Sequence, residues 1–113
     1  MRYEFKAEFF KVLAHPLRIR ILDELRDGPV GVGELQTRLG VEQSTLSQQL
    51  AILRNRNFVT AKRSGTSVRY VVGDPAIWKL LDSARTVFDN QLVSVRNVLE
   101  DITREPPRRA RSR

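Results

Sequence analysis

The chain of 113 residues contains no cysteine and a single histidine, His15. Without cysteine it has no disulfide, no thiolate metal ligand and no thiol redox switch. His15 precedes a proline and no second imidazole is available, so we interpret it as a helix-start residue rather than a metal ligand. A metal site would have to use carboxylates such as Asp23, Glu24 and Asp27, and this is the less favoured interpretation.

Long hydrophobic runs are also missing. The longest apolar run covers only a few residues, far short of the ~20 needed to span a bilayer. Lys6, Glu8 and Lys11 interrupt the N-terminal segment, so it does not have the apolar stretch of a signal peptide. We therefore expect a cytoplasmic protein.

Sequence patterns typical of catalysis are absent as well. There is no histidine next to a plausible serine nucleophile, no glycine-rich phosphate loop and no convincing carboxylate pair. Ser44 and Ser47 have no general base. We therefore expect neither an enzymatic activity nor a cofactor.

The positive charge, +7 overall, is concentrated in two parts of the chain. Residues 34–73 carry six basic and two acidic residues, and residues 104–113 carry five basic and one acidic. A localised excess favours a polyanionic partner, whereas a uniform excess would only aid solubility. Because the last ten residues have no apolar periodicity, we predict one domain over residues 1–103 and a disordered basic tail over residues 104–113.

One segment, residues 32–70, has the pattern of two helices joined by a tight turn and followed by a basic hairpin. Gly40 ends the first helix, predicted over residues 32–39, and the second helix is predicted over residues 43–57. The buried face of the second helix is marked by Leu46, Leu50 and Leu53. This order of elements is typical of a DNA reader.

The other face of the second helix carries hydroxyl and amide side chains and no charge. Such groups hydrogen-bond base edges and phosphates, and glutamine can pair bidentately with adenine. We therefore favour DNA contact over a simple solvated face, with Ser47, Gln48 and Gln49 expected to contribute most. The residues predicted to bind DNA from this helix are Gln43, Ser44, Thr45, Ser47, Gln48 and Gln49.

The hairpin is predicted from strands over residues 58–63 and 66–72, joined through Ser64 and Gly65. Its cations follow directly after the second helix in the chain. This position favours contact with DNA phosphates or the minor groove over the alternative of a solvated sheet edge. The predicted contacts are Lys62, Arg63, Ser64, Thr66 and Arg69. The roles of Arg54 and Arg56 stay open, because these residues could equally offset the dipole at the end of the helix.

Three further helices are predicted, over residues 3–14, 15–28 and 74–103. The fold class is therefore mainly α with a small β-hairpin: a winged helix-turn-helix with four helices, two strands and a fifth helix.

The last helix carries an apolar stripe that a domain of this size cannot cover together with the first helix. A second copy of the chain is the economical partner, since twofold pairing is the commonest form of oligomer. Packing within one subunit is the alternative. The predicted interface residues of the homodimer are Phe5, Phe9, Phe10, Val87, Phe88, Leu92, Val95 and Leu99.

Four motifs carry a resemblance to a known family: LAHPLRIRIL at 13–22, VGEL at 32–35, LSQQL at 46–50 with Leu53, and RSG at 63–65 through Tyr70. In order and spacing they resemble the arsenic-repressor (ArsR/SmtB) family of bacterial winged-helix regulators. The resemblance implies a symmetric dimer joined through its first and last helices. It also implies binding to an imperfect inverted repeat in a promoter, usually as a repressor released by a ligand.

Many members of that family hold soft metals with cysteines of the third helix, or other metals with histidines and carboxylates of the last. Here Gly31 and Gly33 stand at the matching places in the third helix, and the last helix has no histidine. We therefore expect operator DNA and a second copy of the chain as partners. A thiolate-bound metal is not expected as the effector. An unidentified small molecule, phosphorylation of a serine or threonine, and constitutive binding are the alternatives left open. The resemblance also implies a bacterial protein associated with the nucleoid.

Two other functions remain open at this point. A winged-helix module for protein interaction would need exposed apolar residues on the wing (the hairpin), whose turn is instead framed by cations. A nucleoid-type architectural DNA binder would share the charge but would show little preference among sequences. The arginines of the tail either solubilise the terminus or add sequence-blind affinity for DNA; they are Arg108, Arg109, Arg111 and Arg113.

Overall fold

A computed structural model describes residues 2–104, and these form five helices and three strands. In chain order they are α1 (Tyr3–Leu13), α2 (Pro16–Glu24), β1 (Val30–Gly31), α3 (Val32–Leu39), α4 (Gln43–Asn55), β2 (Val59–Ser64), β3 (Ser67–Val72) and α5 (Ala76–Thr103). The predicted mainly α class with a hairpin before the last helix is confirmed. The tail predicted over residues 104–113 lies, beyond Arg104, outside the described residues.

Two helices, α2 and α4, end at least two residues earlier than predicted, and the other boundaries lie within two residues of the prediction. α2 ends at Glu24 rather than at Gly28, because residues 25–28 form turns whose amides bond to the carbonyls of Leu22, Asp23 and Leu25. α4 ends at Asn55 rather than Asn57, because Asn57 adopts a left-handed backbone conformation with φ of 65°.

The sheet has one strand more than predicted. β1 pairs antiparallel with β3, joining Val30 to Tyr70 and Gly31 to Arg69, so the strand order is β1-β3-β2. A strand of two residues is too short to show the alternation by which strands are recognised in a sequence. The predicted hairpin therefore supplies two strands, β2 and β3, of a three-stranded sheet.

The chain forms two compact units, one up to Trp78 and one from Lys79 onward. The buried apolar residues all lie in the first unit, and the largest of those buried completely are Ile21, Leu22, Leu25, Leu35, Leu46, Leu53 and Val59. In the second unit, residues 79–103 continue α5, and most of their side chains are exposed. No helix among residues 2–104 is both long enough and apolar enough to cross a membrane.

The start of α2 confirms that the single histidine is a helix-start residue. His15 is the N-cap residue, and its Nδ1 accepts a hydrogen bond from the backbone N–H of Leu17 at 3.2 Å. Pro16 occupies the first helical position, where its missing N–H costs no hydrogen bond.

The turn between α3 and α4 depends on glycine. Gly40 has φ of 67° and donates its N–H to the carbonyl of Gln36 at 2.9 Å, which closes the C-terminus of α3. A residue with a Cβ is strained in this left-handed conformation although nothing lies within 4 Å of the added atom.

We expect Gly40→Ala to lower the free energy of unfolding by about 1 kcal/mol because of this strain. The matched control is Gly33→Ala in α3, where the added methyl group also meets nothing within 4 Å. It should raise stability by up to about 1 kcal/mol through helix propensity. Urea unfolding followed by circular dichroism measures both changes, and equal effects of the two substitutions would contradict this account of the turn.

Candidate nucleic-acid interface

The core determines which side of α4 faces solvent. Leu46, Leu50 and Leu53 are buried, with at most 2% of each side chain exposed. At 3.6 residues per turn, the positions opposite them include Ser44, Gln48 and Ala51. The whole set predicted on this helix is exposed except for one half-buried member, Gln49; the exposed residues are Gln43, Ser44, Thr45, Ser47 and Gln48.

We call the exposed side of α4 formed by Ser44, Thr45, Ser47, Gln48 and Ala51 the α4 ridge. It contains no charged side chain. The sequence analysis did not include Ala51, whose small side chain would let the helix approach a groove closely. The ridge can therefore offer hydroxyl and amide groups to base edges without bringing a charge into the groove.

Gln49 stands apart from the ridge because it is hydrogen-bonded inside the protein. Its Oε1 accepts from Nε of Arg18 at 2.8 Å, and Nη1 of Arg18 also donates to the carbonyl of Val12 at 3.3 Å. Sequence reasoning missed Arg18 as a neighbour of this surface, since 31 positions separate it from Gln49.

We call the hairpin formed by β2 and β3 the wing. Its cations lie on both faces of the hairpin. Lys62 lies directly opposite Arg69, and Arg63 lies opposite Val68. Directly paired residues project to the same face of a sheet, so Lys62 and Arg69 share one face and Arg63 projects to the other. All three are exposed.

Like charges directly opposite each other destabilise a sheet. Lys62 and Arg69 form such a pair, and Arg69 is held in place by a hydrogen bond from its Nη2 to the carbonyl of Pro29 at 2.9 Å. A bound polyanion would relieve their repulsion. Two cations therefore lie side by side on one face of the hairpin.

The tip of the wing is small and polar. Gly65 has φ of 63°, which allows the tight turn between the strands, and the predicted contacts Ser64 and Thr66 are exposed on either side of it. This turn presents hydroxyl groups rather than apolar side chains.

The two arginines at the end of α4 differ. Nη2 of Arg56 forms an ion pair with Oε1 of Glu8 at 3.1 Å. These two residues line one cavity with Phe9 and Phe58, whose rings are tilted by 31° with centroids 5.0 Å apart. Arg56 therefore ties α1 to the end of α4. Arg54 is exposed in the last turn of the helix.

The helix before the turn is anchored by two further arginines. Arg20 donates from Nη2 to the carbonyl of Leu39 at 3.1 Å, and Arg38 pairs with both Glu34 and Glu24. The hydrogen bond with Glu34 raises the pKa of Arg38 above its ordinary value.

The carboxylates considered for a metal site do not form a cluster. Asp23 pairs with Arg26, and Glu24 pairs with Arg38. Within residues 2–104 no group of three or more histidine, cysteine, aspartate or glutamate side chains is placed to hold a metal ion.

The residues predicted for the dimer interface are all exposed in the single chain. On α1 these are Phe5, Phe9 and Phe10, and on α5 they are Val87, Phe88, Leu92, Val95 and Leu99. More than half of the side chain of Phe5 and of each α5 member is exposed, the largest value being 63% for Phe5. Apolar surface of this extent is unusual for a monomer.

Comparison with known proteins places these features in a family. The model of the arsR family of bacterial regulatory proteins matches residues 15–61. An uncharacterized HTH-type transcriptional regulator of Mycobacterium tuberculosis, Rv0081, is 48% identical over 101 residues, which cover 88% of this chain and 89% of that protein. Its crystal structure matches with a TM-score of 0.76 over 81% of this chain and 93% of that one.

Two further relatives have more informative descriptions. A biofilm growth-associated repressor of Xylella fastidiosa is 34% identical over 85 residues, covering 75% of each protein. A homodimeric winged helix-turn-helix DNA-binding domain of Mycobacterium bovis, Mb0332, matches with 31% identity and a TM-score of 0.68, over 76% of this chain and 80% of that one.

Because Lys62 is paired with Arg69, we predict that replacing Lys62 with an acidic residue increases folding stability and weakens DNA binding. Lys62→Glu should raise the free energy of unfolding by up to about 1 kcal/mol, because it replaces a repulsive pair with an attractive one. The same change should weaken DNA binding and reduce the slope of log affinity against log salt by about 2 for a dimer, one per subunit.

The control is Thr60→Glu, an exposed position on the same strand that lies opposite Val71 rather than opposite a cation. It should not increase stability. Thermal unfolding and a salt series of fluorescence-anisotropy titrations measure the two effects. If Lys62→Glu left both the stability and the salt slope unchanged, the assigned role of the wing would be wrong.

Proposed function

The chain belongs to the arsR family of bacterial regulatory proteins, and we propose that it is a dimeric repressor that binds an imperfect inverted repeat in a promoter. The observation that carries the proposal is the uncharged α4 ridge, which stands on the solvent side of a helix whose other side is buried. The cationic wing follows it directly in the chain and supplies phosphate contacts. Regulation by occupying promoter DNA follows from that surface and requires no catalytic group.

In the proposed complex, α4 of each subunit enters the major groove. The two grooves lie about 34 Å apart on one side of the duplex, which is one helical turn of DNA. Gln48, Ser47 and Ser44 contact base edges, while Lys62, Arg63 and Arg69 contact the flanking phosphates. Gln43, Thr45, Gln49, Ser64 and Thr66 complete the interface.

The proposed dimer forms through α1 and α5. Exposed phenylalanines on α1 and the stripe of exposed valine, leucine and phenylalanine side chains on α5 supply the apolar area that a stable pair of subunits buries. The homodimeric Mb0332 domain, to which this chain is similar, supports the same assembly. A twofold dimer matches a twofold-related DNA site.

The proposed effector is not a metal held by thiolates. The chain has no cysteine. The resemblance matches the family's cysteine ligands of the third helix to Gly31, which ends β1, and to Gly33, which lies in α3. Neither glycine offers a side chain that could bind a metal. Three alternatives remain open: an unidentified small molecule as the effector, phosphorylation of a serine or threonine, and constitutive DNA binding without an effector.

The two alternative functions make different predictions. A protein-interaction module would use an apolar wing, whereas the turn of this wing is formed by Ser64, Gly65, Thr66 and Ser67. An architectural DNA binder would bind all duplexes nearly equally. Selection of bound fragments from genomic DNA with the purified protein distinguishes these functions and identifies the operator.

Gln48 provides the sharpest test of base reading. We expect Gln48→Ala to lower discrimination at one base pair of each half-site by about 1–3 kcal/mol, since it removes a bidentate amide. Affinity for unrelated DNA should hardly change. Competition titrations with single-base variants of the selected fragment measure the effect, with Gln36→Ala on α3 as a control that should retain full discrimination. Unchanged discrimination in Gln48→Ala would contradict the assignment.

The dimer can be tested by placing a charge in the α5 stripe. Val95→Glu should yield monomers, because burying an unpaired carboxylate opposes association. Asn97→Glu adds the same charge two positions away, toward the opposite side of the helix, and should remain dimeric. Sedimentation velocity at micromolar concentration separates the two results. A dimeric Val95→Glu, or a monomeric parent protein, would refute the proposed assembly.

A further inference from the structure

The contact between Arg18 and Gln49 bears on how the interface reads DNA. Arginine has only donors, so the amide atom that faces Nε of Arg18 at 2.8 Å has to be the carbonyl oxygen of Gln49. The orientation of this amide therefore follows from chemistry. Both groups are half-buried, and the bond is charge-assisted, which makes it stronger than a bond between neutral groups.

Arg18 is itself held from a second side. Its Nη1 donates to the carbonyl of Val12 in the last turn of α1, where helical carbonyls have no partner further along the helix. A cation at a helix C-terminus is also favoured by the helix dipole. Arg18 thus links the end of α1 to the DNA-facing helix through two fixed donors.

A glutamine that pairs bidentately with adenine must accept from N6 and donate to N7 at the same time. The oxygen of Gln49 is held at the contact between α2 and α4, so only its Nε2 amide remains to be offered outward. Gln49 also flanks the core side of α4, next to buried Leu46 and Leu50, whereas Gln48 stands on the α4 ridge. A side chain at the flank of a helix in the groove lies nearer to the backbone than to the base edges.

Given the proposed DNA-binding function, we propose that Arg18 is a positioning residue that makes Gln49 a donor-only contact to a phosphate oxygen. Adenine readout on this helix then belongs to Gln48 alone. Arg18 need not touch the DNA, because it acts by fixing which end of the Gln49 amide is presented. Two adjacent glutamines, identical in the sequence, thereby have different functions.

A double-mutant cycle tests this coupling. Arg18→Met and Gln49→Ala should each weaken binding to the selected operator about tenfold, as expected for loss of one charge-assisted contact. The double variant should also weaken it about tenfold rather than about a hundredfold, because Arg18 acts through Gln49. Circular dichroism and the fluorescence of the single tryptophan, Trp78, report the folded fraction used to correct each dissociation constant.

The matched control is Arg20→Met on the same helix, which removes a hydrogen bond to the carbonyl of Leu39 that does not involve α4. Its effect should be additive with Gln49→Ala, since a purely structural loss has no reason to pass through Gln49. Additive effects for Arg18→Met as well would overturn the positioning role.

A second measurement does not depend on the folding of Arg18→Met. Gln49→Ala should weaken binding equally for all single-base variants of the operator, whereas Gln48→Ala changes their order. Gln49→Glu keeps an acceptor for Arg18 but has no donor, so it should bind at least tenfold more weakly than the parent. Loss of an adenine preference in Gln49→Ala, or full affinity in Gln49→Glu, would overturn the inference.

The experiments distinguish a failure of the proposed DNA-binding function from a failure of the role proposed for Arg18. If the parent protein ignores duplex DNA, both proposals are wrong. If it binds DNA with sequence preference while the Arg18 cycle is additive, DNA recognition stands and only the role of Arg18 is refuted.

Discussion

Burial of the leucine face of α4 controls the orientation of every side chain that α4 contributes to the candidate interface. Leu46, Leu50 and Leu53 anchor this face in the core, and truncating any of them to alanine would cost about 2–5 kcal/mol. Rotating the helix by one residue would expose a leucine side chain to water and bury an amide that has no hydrogen-bond partner. Both changes would destabilise the fold. The position of Gln48 on the solvent side is therefore a consequence of packing.

The wing depends on a different balance. Lys62 and Arg69 are kept opposite each other although they repel, and Arg69 is oriented by the carbonyl of Pro29 in the segment that leads into β1. The short strand β1 thus contributes to the interface without supplying a side chain to it. β1 is an edge strand that pairs with β3. The polar turn around Gly65 lies at the far end of the hairpin formed by β2 and β3.

The basic residues have two kinds of role in this small protein. Arg18, Arg20 and Arg56 donate to carbonyl, amide or carboxylate oxygens of other elements and hold helices together. Arg63 and Lys62 stay exposed on the wing. The net charge does not distinguish basic residues that are bonded within the protein from those that are exposed. A count of basic residues therefore overestimates how many are available to bind a polyanion.

Local patterns were enough to predict the helices, the hairpin and the polar face of α4, because the spacing of leucines and the position of Gly40 act within a few residues. Contacts between distant positions could not be predicted in this way. The bonds of Arg18 to Gln49 and of Arg56 to Glu8 join residues 31 and 48 positions apart, and β1 finds its partner strand some 40 positions later. Periodicity records which side of an element is apolar, whereas the pairing of particular polar groups depends on how the packed elements meet.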